Sequence, residues 1–146
     1  MATPWGQYPD TILTFVANSP LRIDLRQPMT DADIRAFQAI GFVGAFGIVT
    51  ACDPLGINQA PAVNHARTRM LQMEIESIAA THATVDACSV DGSHCEASFA
   101  LAADPAFVTA LAIRYDQLGV FWFDGESFWI TPARSIRPRL RLPLLP

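Results

Sequence analysis

Apolar and polar positions follow two different periods along this chain, and the switches between them mark its elements. Thr11-Ile12-Leu13-Thr14-Phe15-Val16 predicts a strand, and after the break at Asn18-Ser19-Pro20 the alternation of Leu21-Arg22-Ile23-Asp24-Leu25 predicts a half-buried partner for it. Thr30 or Asp31 is placed to cap a first helix reaching about Ile40, with Ile34, Phe37 and Ile40 on one side and Gly41 as its stop. Phe42 to Ala51 is nearly unbroken apolar, the pattern of a central strand covered on both faces. Gly41, Gly44 and Gly47 recur in this region, without the loop placement of a dinucleotide fingerprint, and read as small residues that let a helix pack closely.

Asp53-Pro54-Leu55-Gly56 breaks that strand, and the longest helix is expected from near Pro61 to about His82. Two strands follow, Thr84 to Val90 and Cys95 to Ala102, joined at Asp91-Gly92-Ser93-His94. A third helix is expected from Asp104-Pro105 to near Asp116. The aromatic hairpin Gly119–Phe123 and Ser127–Ile130 then turns at Asp124-Gly125. The order ββαβαββαββ predicts one α/β domain, with α+β as the neighbouring class: a mixed sheet with about three helices, in two or three layers. Residues 1–133 form the expected domain. Residues 134–146 are an Arg/Pro-rich tail with four arginines and three prolines, read as a strap over the domain, a mobile end or a partner contact.

A helical wheel for the long helix carries an apolar stripe through Leu71, Ile75 and Ile78. Continued toward the N-terminus, the stripe reaches Arg67 and Asn64 instead of hydrophobes. Two polar side chains therefore face the body of the protein in the first turns, where free N–H groups and the helix dipole favour an anion. The strand ending at Thr50-Ala51-Cys52-Asp53 should bring its carboxyl end close by, where open α/β sheets collect ligands. In the ligand-binding reading Arg67 clamps an anion while Asn64 and Gln117 supply amide hydrogen bonds. In the structural reading Asn64 caps the helix and Arg67 pairs with Asp53 to staple the loop.

A second group, Asp91-Gly92-Ser93-His94-Cys95-Glu96, packs candidate acid/base side chains into one turn. His94 and Glu96 are its catalytic candidates, with Asp53 as partner. Ordinary turn chemistry and a solvent-facing Glu96 are the plainer alternative.

Composition narrows the classes of function. The net charge of −4 and a pI near 5.2 leave no broad basic face for nucleic acid. No apolar run approaches a membrane span, and the first residues carry no signal-peptide pattern, so a soluble cytoplasmic protein is expected. Charged residues are only 16%, against about 25% in ordinary globular proteins, which makes a homo-oligomer a candidate state. Without an export pattern, the three cysteines read as free thiols. All ten basic residues are arginines, which removes Schiff-base, pyridoxal-phosphate and P-loop lysine chemistry. No C-x-x-C or H-x-x-x-H spacing announces zinc, so no metal and no cofactor are expected.

Thr50-Ala51-Cys52-Asp53-Pro54, Asn64 with Arg67 and Leu71, Asp91–Glu96, Gln117 and Phe121-Trp122-Phe123-Asp124-Gly125 together resemble a bacterial family of small proteins known only as a domain of unknown function. That family shows a T-A-x-N-P corner, an Asn-headed helix, a Glu at a strand start and a Gln before the last hairpin. The resemblance covers roughly residues 11 to 131 and departs at Asp53, where the pattern has Asn. It implies no activity or cofactor. It does imply that Thr50, Asp53, Asn64, Glu96 and Gln117 belong together. The expectation is a small polar or anionic ligand at this corner. The alternatives are a hydrolase or transferase using His94 and Glu96, and a protein–protein module using the aromatic hairpin and the tail.

Overall fold

A computed structural model describes residue 6 and residues 8–144. The elements, in chain order, are β1 (Thr11–Phe15), β2 (Leu21–Asp24), α1 (Asp31–Ala39), β3 (Phe46–Thr50), α2 (Pro61–Glu76), β4 (His82–Ser89), β5 (Cys95–Leu101), α3 (Pro105–Arg114), β6 (Gly119–Phe123), β7 (Phe128–Pro132) and β8 (Leu140–Arg141). Short 3-10 turns occupy Tyr8–Asp10 and Pro54–Gly56. The protein is thus a mixed α/β domain dominated by sheet.

The strands form one eight-stranded sheet in the order β2-β1-β4-β5-β3-β6-β7-β8. A mixed sheet is the expectation from sequence, but every pairing among the described residues is antiparallel. The cause lies in the connections: α2 leads from β3 into β4, which lies beyond β5, and β5 then returns to pair with β3 in the opposite sense.

Strand alternation sorts the side chains into two cores. One face joins Leu13, Phe15, Ile23, Phe46, Ile48, Val85, Ala100, Phe121, Phe123, Phe128 and Ile130 with Phe37 of α1. Residues from both flanks of the sheet share this cluster, so the sheet curls around it. The rings of Phe15, Phe46, Phe123 and Phe128 all meet Phe37 at centroid distances of 5.1–6.1 Å. The other face joins Val49, Ala51, Phe99, Leu101 and Val120 with Leu71 and Ile75 of α2 and Val108, Leu111 and Ala112 of α3. Helices therefore lie on both faces, and β3 is buried between them.

Local chemistry explains most element ends. Thr30 caps α1 in a reciprocal box with Asp33, an arrangement worth about 1 kcal/mol. Gly41 follows α1 with φ +101°, which an L side chain rarely adopts. Gly47 has a different reason: a Cβ there would lie 2.6 Å from Val108, so its absence lets α3 seat on β3. The central strand is shorter than its apolar run, because Phe42 leaves the helix end and packs into the first core before β3 begins.

Two further boundaries move. The long helix ends at Glu76, where the Ser77 hydroxyl bonds the Glu74 carbonyl, and His82 opens β4 instead of closing the helix. The tail contributes β8, which pairs with β7 and buries Leu142, while Arg139 stacks over Trp129 at 4.1 Å. The free-thiol expectation is corrected for two residues. Cys88 and Cys95 face each other across β4 and β5 with Cα atoms 4.0 Å apart and form a disulfide, leaving Cys52 as a buried free thiol. Sequence spacing could not reveal this, because the pairing depends on strand register.

Candidate functional site: the corner after the central strand

β3 ends where β5 and β6 begin, so the antiparallel sheet brings strand starts and a strand end to one rim. The corner therefore combines the end of β3 with the starts of β5 and β6. Thr50 closes β3: its hydroxyl donates to the Ala97 carbonyl at 2.8 Å and accepts from the Cys52 N–H at 3.1 Å, which tethers the chain as it leaves the sheet. Asp53 and Leu55 then take left-handed conformations, φ 46° and 55°, and reverse the chain toward α2. Leu55 N–H donates to the carbonyl of Asp116 at 2.6 Å, which secures the turn against the end of α3.

Asp53 is the centre of the corner and is 7% exposed. Its backbone N–H donates to Asn64 Oδ1 at 2.9 Å, and Asn64 Nδ2 donates back to Asp53 Oδ1 at 2.8 Å. The same Oδ1 accepts the Gln59 N–H at 2.9 Å. Asn64 thus braces the aspartate from the first turn of α2 and does not cap the helix. The carboxylate beside the start of α2 is the chain's own.

Arg67 does not pair with Asp53. Its Nε donates to the Ala51 carbonyl at 2.7 Å and one Nη to the Tyr115 carbonyl at 2.6 Å, with Asp116 4.0 Å away. Gln117 is buried and donates to the carbonyls of Cys52 and Tyr115 at 2.9 and 3.1 Å. Arg67 and Gln117 together satisfy the backbone where two loops cross. Both side chains face inward from the body of the fold, as the wheel predicts for Arg67.

The β4–β5 hairpin supplies the opposite wall. Asp91 accepts from the Ser93 N–H, the Ser93 hydroxyl and the Ser89 hydroxyl, and these donors hold its carboxyl down at about 2. With the adjacent disulfide, they shape the turn that presents His94. His94 Nε2 lies 3.5 Å from Asp53 Oδ2 and 3.4 Å from Glu96 Oε1, and the imidazole is half exposed. The ligand-capable atoms of Asp53, His94 and Glu96 all lie within 4.8 Å of one another.

Glu96 is not a freely solvated strand residue. It projects onto the face that carries Ser98 and Ala100, beside a small cleft lined by Tyr8, Thr50, Ser98, Gly119 and Phe121. Burial pushes its carboxyl above the ordinary carboxylate range, against the opposing pull of His94. Tyr8 is pushed up to about 12, first by burial and then by the nearby Glu96 charge. Tyr8 and Gln59 were not apparent from sequence. Tyr8 precedes the first strand with no periodic signal, and Gln59 acts through its backbone.

The aromatic hairpin is spent largely on packing. Phe121, Phe123 and Phe128 lie in the first core, and Trp129 Nε1 donates to Asp124 Oδ2 at 2.7 Å. No helix among the described residues is long and apolar enough to cross a membrane.

Fold and site define an antiparallel α/β domain with an imidazole held between two carboxylates at one rim of its sheet. Residues 49–120 match the family model described as a protein of unknown function (DUF3293), in agreement with the sequence resemblance to such a family. That segment contains Thr50, Asp53, Asn64, Arg67, His94, Glu96 and Gln117, and leaves out Tyr8 and Phe121. Neither a curated protein nor a solved structure matches the chain.

Proposed function

We propose that this protein binds a small polar ligand at the Thr50–Asp53 corner, between the Asp53–His94–Glu96 cluster and the cleft beside Tyr8. The observation that carries this reading is the convergence of His94 on two carboxylates from separate segments, 3.4 and 3.5 Å away, at a rim that solvent reaches. A few polar groups converging on one spot fix and orient a small ligand. The cleft itself holds only about 20 Å³, so the ligand sits at the open rim beside it. The charge selects among ligands. Two carboxylates face the rim, while the Nε and one Nη of Arg67, the nearest arginine to the corner, are engaged by carbonyls. The ligand therefore presents donors or positive charge, and an anion is disfavoured.

A thermal-shift screen of small amines, polyols and organic acids, run in chelator, tests this reading. Compounds with donor or cationic groups should stabilise the wild type and lose that effect in His94→Ala. Stabilisation confined to organic acids, or equal shifts in both proteins, would contradict it.

A second reading, acid/base catalysis of a hydrolytic or transfer reaction, has one specific support. Glu96, its carboxyl raised by burial, stands within reach of His94. In that case Glu96→Gln and His94→Ala would each abolish turnover of any substrate found, while leaving the thermal melt cooperative.

A further inference from the structure

We infer that Asp53, His94 and Glu96 hold a divalent transition-metal ion. This rests on reading the corner as a binding site, and it names a first occupant for it.

The spacing carries the inference. A charged imidazole bonded to carboxylates would close to about 2.7–2.9 Å, yet His94 Nε2 stands 3.5 Å from Asp53 Oδ2 and 3.4 Å from Glu96 Oε1. Ligand atoms around a tetrahedral ion with bonds of about 2.0–2.1 Å lie about 3.3–3.4 Å from one another. The two distances to the imidazole match that separation, and the two carboxylates, within 4.8 Å of each other, close to about 3.3–3.4 Å around a bound ion.

A second observation concerns the buried carboxylate. Asp53 is 7% exposed, and its Oδ1 already accepts from Asn64 and from the Gln59 N–H. Its Oδ2 accepts no hydrogen bond among the described residues and is aimed at the cluster, with His94 as its neighbour. A carboxylate with one oxygen fixed by amides and the other presented to a site is how ligating carboxylates are supported.

The donor set selects the class of ion. One imidazole with two carboxylates suits zinc or manganese better than magnesium or calcium, which prefer oxygen alone. Three protein ligands leave open positions, and the half-exposed His94 puts them on the solvent side.

The test uses full-length, untagged protein stripped with chelator and titrated with MnCl2 by electron paramagnetic resonance, with ZnCl2 as competitor. One Mn2+ per chain is expected, displaced by zinc. His94→Ala and Glu96→Gln should each weaken binding about tenfold or more. Asp31→Asn, an exposed carboxylate elsewhere, should leave it unchanged. His94 is exposed enough that its replacement spares the fold, and circular dichroism of each variant checks this. Absence of saturable Mn2+ and Zn2+ binding, or equal affinity in His94→Ala, would overturn the inference. Stabilisation by an organic compound in chelator, without metal binding, would overturn the metal alone and leave the polar-ligand reading standing. Metal binding with no compound response would do the reverse.

Discussion

At Asn64 one amide does two jobs, accepting the Asp53 N–H and donating to the Asp53 carboxylate. Asn64→Ala would leave a buried N–H unpaired and remove a donor from a buried charge. The cost is expected at about 1–3 kcal/mol, read as a lower urea midpoint with an unchanged slope. Glu96 works in the opposite direction. Its carboxyl is raised above the ordinary 4.5 in the folded state, so its contribution to stability is present below that value and lost as pH rises through the folded value. In metal-free protein, held in chelator, Glu96→Gln should therefore melt higher than wild type near pH 7, with the gap closing below about pH 4.5. A lower melting temperature at neutral pH would show that His94 more than offsets the burial of Glu96. Such a cost at a site residue is what function commonly imposes on stability.

At the scale of elements, the β4–β5 hairpin is the wall that matters. The disulfide between Cys88 and Cys95 closes a loop of sequence separation 7 at the base of the turn that bears His94. A loop that short is stabilised by about 2–3 kcal/mol in the chain-entropy account. Reduction should lower the melting temperature and weaken any ligand response of the corner. Thiol titration checks the premise: unfolded, unreduced protein should show one free thiol, and reduced protein all three. Three free thiols without reductant would contradict it.

Strands, helices and their order were legible because alternation and wheel stripes record burial directly. The stripe through Leu71 and Ile75 placed Asn64 and Arg67 inward, and both face the body of the protein. What they touch was not legible. Arg67 meets backbone carbonyls, and carbonyls leave no mark in a sequence. The convergence of His94 on Asp53 was equally hidden, since it depends on the register of β5 against β3 across 41 positions of chain.

The whole molecule is a curled antiparallel sheet whose last strand comes from the tail. Proline and arginine there suggested a strap or a free end, and β8 is an edge strand, a place that tolerates both. Truncation after residue 133 would uncover Ile130 and remove Arg139 from Trp129. It should lower the melting temperature and shift tryptophan emission to the red. An unchanged melt would show that the tail adds nothing to the sheet.

The central claim is that the corner, and not the aromatic hairpin or the tail, is where this protein meets its ligand. Its most direct test is a two-dimensional amide NMR titration of 15N-labelled protein with small amines and polyols. Perturbations are predicted to gather at residues 50–64, 94–98 and 117. Perturbations gathered at residues 121–141, or none at the corner, would contradict the account.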